Sequence, residues 1–197
     1  MLTLGADSSE GFLTPPIPVL PMRRMHHYLH HSYVSDELVD LITSNIPQNG
    51  VAADLGCGSG RFCPILLSKA SRVYCVDVDE YALKMAKDYV KDERAIFLNE
   101  DASSMSIPSG TVDVVIMVNS FHDMEDKVKV ASEVGRILKQ GGLAIIIESK
   151  PGLAVPGPPP WLRMKPEEVL RYFNSELFKA IEVKDLGNFN AILIRRI

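Results

Sequence analysis

The stretch Val51–Phe62, VAADLGCGSGRF, decides how this chain is read. A short apolar run ends in Asp54-Leu55 and meets three glycines at alternate positions, Gly56, Gly58 and Gly60. The pattern is a strand that runs into a glycine-rich loop and then into a helix. Glycine has no Cβ, so the loop can take positive φ and a ligand can lie against the main chain. The amides of the loop and of the helix start then face that ligand. The dinucleotide fingerprint G-x-G-x-x-G is excluded, because its third glycine position after Gly56 and Gly58 is Arg61. The plainer alternative is a tight strand-to-helix turn that binds nothing.

Outward from this stretch, strands and helices alternate. Upstream, Ser35 can cap a helix through DELVDLITSNI, with Leu38, Leu41 and Ile42 on one face and Pro47 as its stop. Downstream, Phe62–Ala70 reads as a crossover helix and Arg72–Val76 as a second strand. Asp79 can cap a helix through DEYALKMAKDYV, with Leu83, Ala86 and Val90 at helical spacing. Ala95–Leu98 reads as a third strand, and Val112–Val118 as a buried fourth. Lys127–Leu138 reads as a helix stopped by Gly141-Gly142, and Leu143–Glu148 as a fifth strand. Such alternation implies right-handed βαβ units and a parallel sheet covered on both faces. Near the end, Pro166 can open a helix. Gly187-Asn188 then joins two strand-like runs, Ile181–Leu186 and Phe189–Arg195, as a hairpin. The proline-rich GLAVPGPPPW, 152–161, reads as an exposed loop.

Composition narrows the function classes. A length of 197 residues suits one domain with a sizeable core. The net charge of −4 argues against a nucleic-acid binder. No long uncharged apolar run could span a membrane, and the N-terminus carries acids and prolines instead of a signal-peptide pattern. Cys57, Cys63 and Cys75 match neither a zinc pattern nor a disulfide framework. They are expected to be reduced, buried thiols in a cytoplasmic protein.

Four segments, in order, resemble the class I S-adenosylmethionine (SAM)-dependent methyltransferases, over about residues 35–197. The stretch around Gly56–Gly60 resembles their motif I, acidic-x-Gly-x-Gly-x-Gly. VYCVDVDEYAL resembles the end of their second strand, NEDASSMSIPSGTVDVVIM their segment into the fourth strand, and VNSFHDMEDKVKVASEVGRILKQGG the loop and helix after it. The resemblance implies a Rossmann-like, seven-stranded, mostly parallel sheet with helices on both faces and an antiparallel C-terminal hairpin. It implies SAM as cofactor, with S-adenosylhomocysteine as product. It places the cofactor on Asp54, Gly56, Cys57, Gly58 and Gly60, its ribose on Asp77, and its adenine against Val78, Asp101 and Ala102. A carboxylate such as Asp77 can accept from both vicinal hydroxyls, and Asp79 already serves as the helix cap. Asn119 is expected near the methionine part of the cofactor, and Phe121 or His122 toward the methyl group. Glu133 and Arg136 read as an ordering ion pair, and Asp113 as an acid that orders the start of the fourth strand.

The resemblance is strongest to the small type 11, quinone-biosynthesis-like enzymes. It implies in-line SN2 methyl transfer to a small-molecule acceptor, by a monomer or homodimer. Proximity and orientation supply much of such a rate. A base is needed only if the nucleophile must lose a proton; His122 is the candidate, and a histidine merely lining the cleft is the alternative. Residues 1–34 are expected to form a lid before the domain 35–197, with Tyr28, His31 and Tyr33 on the substrate side. His26 with His30, and His27 with His31, stand at i, i+4, yet no carboxylate or cysteine in that segment completes a metal site, so no metal is expected. Two other readings stay open: a protein or RNA methyltransferase with an open cleft, and a catalytically silent SAM-binding subunit.

Overall fold

The computed structural model describes residues 34–153 and 158–197. The expected lid, its residues Tyr28, His31 and Tyr33, and the paired histidines therefore lie outside the described residues. Ser35 caps helix α1 (Asp36–Asn45), its hydroxyl accepting from the amide of Leu38. Strand β1 (Val51–Leu55) follows, then a short α2 (Cys63–Leu67), β2 (Arg72–Asp77), α3 (Glu80–Val90) and β3 (Ala95–Asn99). Asp79 caps α3 by accepting from the amides of Tyr81 and Ala82. β4 (Val112–Val118), α4 (Lys127–Ile137) and β5 (Leu138–Ser149) continue the alternation, and α5 (Pro166–Leu170) leads to the hairpin of β6 (Phe178–Leu186) and β7 (Phe189–Arg196).

The seven strands stand in the order β3-β2-β1-β4-β5-β7-β6. β1 pairs parallel with β2 on one side and with β4 on the other, so the strand order reverses at β1. Only β7 is reversed: it pairs antiparallel with β5 on one side and with β6 on the other. The expected sheet and its terminal hairpin are thus present.

Side-chain alternation along the strands builds two cores. Ala53, Leu55, Val115, Met117 and Ile146 pack with Val130 and Val134 of α4 and Val169 of α5. Ala52, Val73, Ile116 and Ile145 pack with Leu38 and Ile42 of α1, Leu66 of α2 and Leu83 of α3. α1–α3 therefore cover one face, and α4 and α5 the other.

Three expectations are corrected. The first crossover helix is shorter than 62–70, because the glycine loop and its turns run as far as Phe62. β5 begins at Leu138, directly after α4, because Leu138 already pairs with Val112; the glycines lie within a register shift that ends where Leu143 meets Val114. Cys63 and Cys75 form a disulfide, so only Cys57 is a free thiol. Cys63 opens α2 and Cys75 lies in β2 on the face that α2 covers. Their spacing of 12 residues in sequence hides that proximity.

The ordering acids act as expected. Asp113 accepts from the amide of Val51 and from Lys139, joining β1 and β4 at their starts. Arg136 pairs with Glu133 and also donates to the carbonyls of Ile107 and Met105, while Glu133 accepts from the Met105 amide. This pair holds the segment between β3 and β4 against α4. Arg136→Ala should therefore cost about 1–3 kcal/mol, since it leaves Oε1 of Glu133 and two carbonyls without the arginine's donors. Urea unfolding should show that loss, and hydrogen exchange should show faster exchange at Met105.

Candidate active site

Motif I is built by three glycines with three different reasons to be glycine. All have positive φ: 74° at Gly56, 53° at Gly58 and 80° at Gly60. A Cβ on Gly56 would sit 2.5 Å from Cβ of Ser120, so this glycine lets the end of β4 close against the end of β1. A Cβ on Gly60 would sit 2.9 Å from Cβ of Ala86, so this one lets α3 close on the loop. A Cβ on Gly58 would meet nothing within 4 Å. Its surroundings are open, as a backbone that receives a ligand requires.

The loop is tied to β2. The amides of Gly56 and Cys57 donate to the carbonyl of Val76. The amide of Gly58 donates to Oδ2 of Asp77 at 2.8 Å, and Oδ1 of Asp77 accepts from the amide of Asp79 at 2.9 Å. Each oxygen keeps a second lone pair for a hydroxyl. On the other side, Ser120 Oγ donates to the carbonyl of Leu55 at 2.7 Å.

Under the loop lies Asp54, 1% exposed, whose Oδ2 is buried with no hydrogen-bond partner. Burial, reinforced by the charge of Asp77, pushes its carboxyl up to about 8. A buried carboxyl without a donor is costly, and a cation or donor group would relieve it. Cys57 is also buried, and burial and the charges of Asp54 and Asp77 raise its thiol, so it is inert.

A cleft of about 420 Å³ opens at the carboxyl ends of the strands. That is where open α/β sheets bind ligands. Of the expected residues, Gly56, Asp77, Val78, Asp101 and Ala102 line it. Val78 is 63% exposed, and Asp101 orders its own turn by accepting from the Ser103 amide. Asp54, Cys57, Gly58, Gly60, Asn119, Phe121 and His122 are not among the lining residues. Asn119 has φ 49°, and its Oδ1 accepts from the amide and hydroxyl of Ser149, bridging the ends of β4 and β5. The structure places Phe121 in the core, fully buried against Tyr172 and Phe173, because the turn after β4 directs its ring inward.

His122 is held differently. Its Nδ1 lies 2.7 Å from Oε2 of the fully buried Glu148, and its backbone amide donates to Oε1 of the same residue. Its Nε2 lies 3.4 Å from Oδ2 of Asp123. Burial pulls the imidazole pKa down, but the hydrogen bonds and charges of Asp123 and Glu148 outweigh it and raise it to about 9. Ser120, which the sequence places beyond the end of the fourth strand, also lines the cleft. Glu148, Asp123, Glu125 and Glu100 were not singled out from sequence. Glu148 had a signal: an acid closing the apolar run LAIIIE, just as Asp77 closes β2.

A family model described as a methyltransferase domain, type 11, matches residues 53–146. A Sulfolobus solfataricus protein described as a type 11 methyltransferase has a crystal structure that is 33% identical, with a TM-score of 0.71, covering 82% of this chain and 90% of that one. The chain belongs to the type 11 methyltransferase family. Two curated proteins also match over shorter stretches. The 27-O-demethylrifamycin SV methyltransferase of Amycolatopsis mediterranei is 29% identical over 132 residues, 58% of this chain and 48% of that protein. The 2-methyl-6-phytyl-1,4-hydroquinone methyltransferase of Synechocystis is 30% identical over 105 residues, 52% of this chain and 33% of that protein. The chain thus spans half or less of the length of these two relatives.

SAM is the cofactor this family implies, and the residues present fit it. The orphaned acid of Asp54 suits an ammonium, the open backbone at Gly58 leaves room for a ligand, and Asp77 retains acceptor capacity for a ribose.

The glycines separate stability from binding. Gly56→Ala should destabilise by about 2–5 kcal/mol, combining about 1–2 for left-handed strain with about 1–3 for overpacking against Ser120. Gly58→Ala should cost only the strain, because its Cβ meets open space. Equal losses in urea unfolding would contradict this division.

Proposed function

We propose that this protein transfers the methyl group of SAM to a small organic acceptor. The observation that carries the reading is the buried carboxyl of Asp54, whose Oδ2 has no hydrogen-bond partner, beneath a glycine loop whose central backbone is open. Bound SAM supplies an electrophilic methyl group. The chain's own part is to hold and orient. Asp54 takes the amino-acid ammonium, the Gly58 backbone gives the ligand close approach, Asp77 takes the ribose hydroxyls, and Val78 with Ala102 flanks the base. Fixing two reactants in line removes much of the entropic barrier, which suits a cleft that needs no catalytic triad.

A small acceptor is supported by the two named relatives, whose names give 27-O-demethylrifamycin SV and 2-methyl-6-phytyl-1,4-hydroquinone as what they methylate. No helix among the described residues is long and apolar enough to cross a membrane.

Titration calorimetry tests the reading. SAM and S-adenosylhomocysteine should both bind. An ammonium beside Asp54 favours its ionised form, so binding should expel a proton below about pH 8, the carboxyl's ligand-free pKa. The heat should therefore vary with the ionisation enthalpy of the buffer, and Asp54→Asn should remove that dependence. Asp77→Ala should weaken both ligands at least about tenfold, the worth of one charge-assisted hydrogen bond. Failure of both ligands to bind would refute the reading.

A further inference from the structure

Three consecutive residues of β2 hold the glycine loop. At its entry, the carbonyl of Val76 accepts from the amides of Gly56 and Cys57. At its middle, Asp77 accepts from the amide of Gly58. At its exit, Cys75 is bonded to Cys63. The first two ties are hydrogen bonds, and the third is covalent. Cys75 also stands level with Asp54 in the pairing of β2 with β1, so the disulfide ends beside the strand position of the buried acid. α2, which follows the loop, runs only from Cys63 to Leu67, and among the described residues no side chain caps its start. A helix that short does not persist alone. Burial of Leu66 and Leu67 holds its far end, and the disulfide holds its start. The Cys63 amide donates to the carbonyl of Gly60, so the last glycine of the loop moves with Cys63.

Both bonded cysteines are 0% exposed. A reductant therefore reaches them when the loop and the start of α2 lift from β2, and a ligand on the loop opposes that movement. Cys57 packs in the same cluster, but burial and the charges of Asp54 and Asp77 raise its thiol, so it stays protonated. Exchange needs a thiolate, so Cys57 does not reshuffle the bond. We propose that the Cys63–Cys75 disulfide is a redox switch on the cofactor site. Closed, it keeps the loop in the form that receives SAM; opened, it frees the exit of the loop and lowers the affinity. The inference goes beyond the SAM reading and rests on it. The redox partner is a dithiol. One of its thiolates attacks Sγ of Cys63 or Cys75, the S–S bond breaks, and its second thiolate resolves the mixed disulfide. Two electrons and the dithiol's two protons pass to the cysteines, which end as thiols, and the dithiol ends as a disulfide. The reverse exchange restores the bond.

Linkage makes the effect reciprocal: if opening the bond lowers cofactor affinity, bound cofactor must resist the opening. S-adenosylhomocysteine and dithiothreitol test both directions. Alkylation in denaturant should label one cysteine of the untreated protein, Cys57, and all three after reduction. The reduced protein should bind S-adenosylhomocysteine at least about tenfold more weakly, as when about a tenth of the molecules are binding-competent, and reoxidation should restore the affinity. Saturating S-adenosylhomocysteine should slow the reduction at least about tenfold, since it binds the closed form. Hydrogen exchange in the reduced protein should quicken at residues 58–67 and not in β4, which separates release of the loop from a general loss of stability. Cys63→Ala combined with Cys75→Ala should bind as weakly as the reduced protein and ignore dithiothreitol. If that variant does not fold, the reduced protein, which keeps every side chain, decides alone. Three labelled cysteines before reduction, a bond that dithiothreitol does not open, equal affinity in the two states, a reduction rate that the ligand leaves unchanged, or exchange that quickens across the whole sheet would each overturn the proposal. Failure of S-adenosylhomocysteine to bind the unaltered, oxidised protein would instead refute the cofactor reading itself, and the proposal with it.

Discussion

The carboxylate of Asp77 holds two amides at once, Gly58 in the loop after β1 and Asp79 before α3. The rest of the site depends on this bridge. It fixes the open backbone of Gly58 at the end of β2 and leaves Asp79 free of that task, so that Asp79 can cap α3. Its charge also helps to keep the carboxyl of Asp54 from ionising. A side chain that the sequence marks for a ligand is thus a structural clamp before any ligand arrives. Each Asp77 oxygen has two lone pairs, so the roles do not compete.

The other side of the cleft is fastened by different means. Ser120 reaches back to Leu55, Asn119 to Ser149, and Glu148 to His122. These bonds tie the carboxyl ends of β1, β4 and β5 where the strand order has already reversed. The glycine at 56 permits the closest of these approaches, since a side chain there would displace Ser120. Buried polar groups on this edge are almost all satisfied, as buried polar groups must be. Among the described residues, the side-chain exception is Oδ2 of Asp54.

The parts of this architecture legible in sequence are those with a local cause. Asp79 and Ser35 announce their helices because a cap acts over three residues. The strands β1, β2 and β4 show as short apolar runs, and Gly187-Asn188 marks the hairpin because a two-residue turn has few solutions. The residues that line one side of the cleft could be named because each follows a strand end directly. What sequence hid is what depends on distance across the fold. Nothing in FHDMED says that the ring of Phe121 turns into the core while Asp123 reaches the cleft, because a single 3₁₀ turn decides it. Nothing local says that Glu148 meets a histidine 26 positions earlier, or that Cys63 meets Cys75 across a helix–sheet contact. The glycines looked alike in sequence, and only their neighbours distinguish the one beside open space from the two that pack.

The central claim is that the acid of Asp54 and the open loop above it hold the amino-acid end of SAM. A crystal structure of the protein with S-adenosylhomocysteine tests it most directly. The account predicts the ligand along the carboxyl ends of the strands, with its ammonium within hydrogen-bond reach of Asp54, directly or through one water, its ribose on Asp77 and its adenine between Val78 and Ala102. A ligand bound elsewhere, or one in the cleft whose ammonium leaves Asp54 without a partner, would contradict it.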